Sequence, residues 1–150
     1  MTAHNVPAIG QASTRRLFPL GTTYTAPDGK VYKYVQYLEG TAAVDGVAGE
    51  VAAYNAEDGY KLNQVTSDYS DTDDLGAGVL PVGASDEEFL WIQIKGPATL
   101  SIALTGSTDG LAQTVAGAAD GTLDDAATLE HRCAYAVDAS AKEIIADFPL

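Results

Sequence analysis

Between Glu87 and Leu104 the chain reads EEFLWIQIKGPATLSIAL, two runs of two-residue alternation on either side of Gly96-Pro97. In the first run Leu90, Ile92 and Ile94 share one face, and Phe89, Trp91, Gln93 and Lys95 share the other. In the second, Leu100, Ile102 and Leu104 alternate with Thr99, Ser101, Ala103 and Thr105. A pleated strand sends successive side chains to opposite faces, so each run describes a strand with one apolar side. Gly-Pro is turn chemistry, and the pair predicts an antiparallel hairpin from about Phe89 to Leu104. Trp91 faces away from the isoleucines, either exposed at an interface or roofing a second small cluster. No segment sustains the 3.6-residue period of an amphipathic helix, so the chain is predicted to be mainly β.

Other stretches fit that class. In APDGKVYKYVQYLEG a Pro-Asp-Gly turn precedes a strand with Val31, Lys33, Val35 and Tyr37 on one face. Tyr32, Tyr34, Gln36 and Leu38 occupy the other, and because both faces mix apolar and polar groups the strand is expected to be covered on both sides or to lie at an interface. GEVAAYN and GYKLNQVTS read as short strands around a turn at Asn55 to Gly59, and GAGVLPVG as a short strand or extended loop. GSTDGLAQTVAGAADGTLDDAATLE is turn-dominated, Cys133, Tyr135 and Val137 continue a strand alternation, and KEIIADFPL supplies a last strand. At 150 residues and 46% hydrophobic composition the chain is long enough for one domain with a real core.

The first 27 residues differ from the rest. They hold no Asp or Glu, carry Arg15 and Arg16, and include Pro7 and Pro19 without a clear period. Residues 1–27 are therefore expected to form an extended N-terminal arm, and residues 28–150 the β domain. Leu17, Phe18 and Leu20 beside the two arginines suit an arm that orders against a partner. The net charge of −13 excludes nucleic acid and anionic membrane as main partners, since both recruit basic surfaces. No apolar run has the length of a membrane span, and the N-terminus lacks the apolar core of a signal peptide, so synthesis and assembly in a cytoplasm are expected.

Chemistry is sparse. Cys133 is the single cysteine and reads as a buried, inert thiol; His131 has no Cys/His cluster to complete a metal site, and His4 lies in the arm. No G-x-S-x-G signature or phosphate-binding glycine loop occurs. In SDYSDTDDLGAG, setting Asp71 and Asp73 as the first two ligands of a calcium loop puts Gly76 at the sixth position, but Leu75 and Val82 then fall where oxygen ligands are required. Asp68, Asp71, Asp73 and Asp74 therefore read as a solvated acidic loop, with a weak calcium site as the alternative. No catalytic residue, metal site or cofactor is expected.

LGTTYTAPDGKVYKYVQY, AAVDGVAGEVAAYN and FLWIQIKGPATLSIA follow one another in the order found in small structural proteins of tailed-phage heads. Over roughly Ile9 to Leu104 the chain resembles capsid decoration (cement, head-stabilising) proteins. The resemblance implies a compact antiparallel β-sandwich or β-barrel-like domain of the β-tulip type, behind an extended N-terminal arm. It implies a homotrimer on the capsid outer surface of the virion, made in the host cytoplasm, with the major capsid protein as partner. Arg15, Arg16, Leu17, Phe18 and Leu20 are then the expected capsid-binding arm, and Tyr32, Tyr34 and Trp91 possible interface aromatics. The competing expectation is a soluble carbohydrate- or ligand-binding β module, of a head-fibre or adhesion type, with Trp91, Tyr32, Tyr34 and Tyr37 as its platform.

Overall fold

The computed structural model describes residues 7–150; His4 lies outside them. The structure is a mainly β domain. Its strands are β1 (Thr23–Thr25), β2 (Val31–Tyr37), β3 (Val51–Asn55), β4 (Gln64–Thr66), β5 (Thr72–Val79), β6 (Phe89–Thr99), β7 (Ala112–Thr114), β8 (Asp124–Asp125), β9 (Ala134–Asp138) and β10 (Glu143–Asp147). A single helical turn, α1 (Gly59–Leu62), precedes β4. The sheet runs β1-β2-β4-β3-β5-β6-β10-β9-β7-β8, and a further β2–β6 pairing closes β2, β4, β3, β5 and β6 into a barrel. Every joint of that ring is antiparallel except β2–β4, where Gln36 and Tyr37 run parallel to Gln64 and Val65. Strands β10, β9, β7 and β8 extend the wall as an open antiparallel sheet.

The predicted hairpin at Gly96-Pro97 is corrected by the structure. β6 continues through both residues as one eleven-residue strand, and Ser101 to Leu104 leave the sheet. Up to Lys95 the strand pairs with β2, ending at Val31 opposite Lys95; from Lys95 to Thr99 it pairs with β10. Past Lys95 one edge of β6 is thus free, and there a proline lacking its N–H costs the sheet little. Gly96, at φ +100, takes up the kink, and the Gln93 side-chain amide donates to the carbonyls of Lys95 (3.1 Å) and Pro97 (3.0 Å). GYKLNQVTS is corrected too, since its first four residues form α1 and only Gln64 to Thr66 are strand.

The main core fills the barrel and the underside of the open sheet, with Val35, Tyr37, Val51, Val65, Leu80, Leu90, Ile92, Ile94, Leu123, Ile144 and Phe148 fully enclosed. β5 can approach β6 because Gly78 has no side chain; a Cβ there would stand 2.8 Å from the Gln93 carbonyl oxygen. The opposite face of the β2–β6 wall carries a second cluster of Tyr32, Tyr34 and Trp91, roofed by Ile9, Phe18, Leu20, Tyr24, Ala26 and Phe89. β2 is therefore covered on both sides.

Candidate functional site

The arm is seated on the body. Its lack of alternation reflects irregular packing, not independence from the domain. Ser13 exchanges backbone hydrogen bonds with Phe89, the Leu17 N–H donates to the Tyr34 hydroxyl (3.1 Å), and Gly21 and Thr22 pair with Tyr34. Phe18 sets its edge against the Tyr34 and Trp91 rings at 5.3 and 5.1 Å, with Tyr34 and Trp91 themselves 5.1 Å apart. Residues 23–25 are β1, paired with Val31 to Lys33. Phe18 and Leu20 thus serve as anchors, while Arg15, Arg16 and Leu17 are exposed.

The aromatics expected at an interface are inside. Tyr34 and Trp91 are each 2% exposed beneath the chain's own N-terminal segment. Tyr32 is buried with them, and Tyr37 lies in the main core, its hydroxyl donating to the Val44 carbonyl (2.7 Å). None of the four offers an open face to a sugar ring.

One feature was invisible in the sequence. Strands β1 and β4 share the same edge of β2, β1 along Val31 to Lys33 and β4 along Gln36 and Tyr37. At that fork Gly21, at φ +86, lies close against the Asn63 side chain, and the Asn63 carbonyl accepts from the Gln36 N–H. α1 stands beside the fork, bracketed by Asp58 and Asn63 in left-handed conformation. Two open depressions share Lys61 and Asn63 there. One, of about 560 Å³, is lined by Arg16, Leu17, Phe18, Pro19, Leu20 and Leu62; the other, of about 370 Å³, by Gly21, Thr23, Lys33, Tyr60 and Leu150. No Asp or Glu side chain lines either one, although the chain holds 21 of them and 8 Lys or Arg; the main-chain end of Leu150 lies in the second.

Lys33 is the unusual group. It is only 4% exposed, its ammonium donates to the Tyr54 hydroxyl (2.7 Å), and it lies 5.2 and 5.1 Å from the Tyr54 and Tyr60 ring centres. Among the described residues the ion pair is Lys95 with Asp147, so Lys33 has no carboxylate. Burial lowers its pKa from the ordinary lysine value, and burial likewise raises that of the Tyr54 phenol. The Tyr-Lys-Tyr stack offsets part of the desolvation through cation–π attraction.

The acidic stretch is mostly committed internally. Asp68 accepts from the Ser70 N–H and hydroxyl and from the Ala42 N–H, and Asp71 accepts from the Thr41 N–H and hydroxyl. Both carboxylates thus pin the loop at Gly40 to Ala42. Asp73 and Asp74 begin β5, and among the described residues no group of three or more His, Cys, Asp or Glu is placed to hold a metal ion. Cys133 is buried, which pushes its thiol pKa up to about 12, and His131 is exposed. No helix among the described residues is long and apolar enough to cross a membrane. The chain matches no family model, no curated protein and no solved structure.

Proposed function

We propose that this chain is a structural virion protein that binds the outside of a phage capsid and stabilises it as a decoration protein. The observation that supports this reading is the depression at the N-terminal segment, lined by Arg16 and Lys61 and by no Asp or Glu, in a chain of net charge −13. Phe18 and Leu20 hold that segment in place, and Arg15, Arg16 and Leu17 are thereby presented to a partner, the major capsid protein. Charged surfaces arranged this way set orientation and steer association: the basic patch meets the lattice and the acidic remainder faces water.

Self-association into a homotrimer belongs to the same proposal. In the open sheet Pro97, Ile145, Tyr135 and Ala112 stand in register across β6, β10, β9 and β7, a row with no charge in it. Ile145 and Tyr135, with Val137 beside them, are nearly half exposed. An apolar row of this kind on an acidic body is where copies can meet, with Glu143 and Asp147 of the same exposed face at its rim.

The test is sedimentation of purified empty heads with the protein. Reversing Arg15 and Arg16 to glutamate is expected to weaken attachment, more visibly at low salt. Equal decoration by the reversed protein at low and high salt would refute the reading.

A further inference from the structure

The two depressions beside α1 meet at Lys61 and Asn63, which line both, and together they form a groove whose chemistry specifies an occupant. We propose that it takes an extended peptide segment bearing carboxylates between leucine-sized side chains. The inference rests on the decoration reading only for the identity of the protein that supplies the segment.

Charge comes first. Three of the eight cations, Arg16, Lys33 and Lys61, line this groove and none of the 21 acids does. Asp58 and Asp73 line a separate depression, which borders the groove at Tyr60 and Lys61. Arg16 and Lys61 are exposed and can reach a ligand, whereas Lys33 adds positive potential from beneath Tyr60. Elsewhere acids dominate the surface, so a carboxylate-bearing segment is attracted here and repelled elsewhere.

Shape and apolar surface come second. Leu17, Tyr60, Leu62 and Leu150 border the groove and are each about half exposed or more, at 59%, 50%, 48% and 64%. Single exposed leucines are ordinary; three leucines and a tyrosine around one trough with Arg16 and Lys61 make an amphipathic surface. Tyr60 is fixed there by its hydroxyl, which donates to a main-chain oxygen of Leu150 (2.7 Å).

Backbone supply comes third. β1 ends the sheet order, paired only with β2, so among the described strands its outer edge is unpaired, and Thr23 in β1 also lines the groove. An extended segment can add to that edge through main-chain hydrogen bonds, setting alternate side chains toward the leucines and the cations. A small anion would use the charge but neither the edge nor the apolar border.

The experiment uses the full-length chain and an acetylated heptapeptide of alternating leucine and glutamate, followed by amide chemical shifts. Saturable shifts at Arg16, Leu17, Thr23 and Tyr60 to Asn63 are expected. Lys61→Glu is expected to weaken binding at least tenfold with an unchanged melting temperature, and a leucine–lysine heptapeptide to leave the groove unperturbed. Equal binding by Lys61→Glu, shifts confined to other surfaces, or the same shifts with sodium acetate at matched concentration would overturn the proposal. Sedimentation with empty heads separates the two readings. Peptide binding without head binding refutes the decoration role alone, and head binding together with peptide binding that Lys61→Glu leaves unchanged refutes the groove alone.

Discussion

The seating of the N-terminal segment is the feature most open to a quantitative test, and Phe18→Ala is the perturbation. The ring makes edge-on contacts with Tyr34 at 5.3 Å and Trp91 at 5.1 Å. Each such pair contributes about 0.5–1.5 kcal/mol beyond area burial, so the two account for about 1–3 kcal/mol. Full burial of a phenylalanine is worth about 1.5–3 kcal/mol, and this half-buried ring supplies about 1 kcal/mol of that. The loss of about 2–4 kcal/mol falls on local attachment of the segment, because the barrel interior does not include Phe18. Since about 1.4 kcal/mol is a factor of ten, the opening equilibrium shifts by about 30- to 1,000-fold.

Two assays read the opening directly. Trp91 is the single tryptophan and is 2% exposed under the segment, so its emission reports release without labelling. Arg15 and Arg16 place tryptic sites just ahead of the anchor. Where opening is fast relative to cleavage, the tryptic rate tracks the open population. Phe18→Ala is expected to red-shift the emission and speed cleavage at Arg16, while barrel unfolding in urea moves much less. An unchanged emission maximum together with an unchanged cleavage rate would show that Phe18 does not hold the segment.

Other perturbations read other parts of the fold. Gly78→Val drives a side chain into the Gln93 carbonyl and Ile92, and is expected to lower stability by about 1–3 kcal/mol in urea titration. Burial raises the Glu50 pKa, so above the ordinary carboxylate range the unfolded chain ionises first and wild-type stability falls until the folded carboxyl also ionises. Glu50→Gln is expected to flatten that fall in melting temperature against pH; parallel curves would refute it. For Lys33 the shift is opposite. Between its lowered pKa and the ordinary value of 10.5 the unfolded chain binds the extra proton, so wild-type stability rises with pH. The difference between wild type and Lys33→Met should change across that window and stay constant below it. Tyr135→Glu with Ile145→Glu is expected to leave the circular dichroism spectrum intact and convert oligomer to monomer in light scattering; a wild-type chain that is already monomeric at high concentration would refute the trimer.

Alternation made β2, β9, β10 and the first half of β6 legible, because each has one face in a core and the other differently covered. The second half of β6 was not, since Gly-Pro normally ends a strand, and whether it does here depends on where β2 stops and β10 begins. α1 is one turn long, too short to show a helical period, and is held by the left-handed residues around it. Trp91 was legible as turned away from the isoleucines, but its roof comes mostly from the N-terminal segment, Ile9 to Ala26, far from it in sequence. The groove was the least legible. Arg16, Lys33 and Lys61 sit in three separate stretches, and only the fork between β1 and β4 brings them together. The buried Lys33 left a faint signal, a lysine on the face that also carries Val35 and Tyr37.

The fork links topology to function. A strand edge shared end to end by two partners cannot be paired continuously, because the incoming chains must diverge where one replaces the other. This happens twice here: on β2, where β1 gives way to β4, and on β6, where β5 gives way to β10. On β6 the divergence launches the open sheet, and the seam closes over Cys133 and Phe148, both packed against Gly76, so that fork is sealed. On β2 the divergence leaves a gap that the Asn63 carbonyl and the Gly21 backbone only partly fill. Backbone groups at such a gap need partners, and exposed apolar residues beside it need cover. The chain leaves Arg16, Lys61 and leucines there and lines the gap with no Asp or Glu side chain. A fork needed only for packing would be closed like the one on β6; this one is left open, basic and apolar at its border, as a docking site for an acidic extended segment requires.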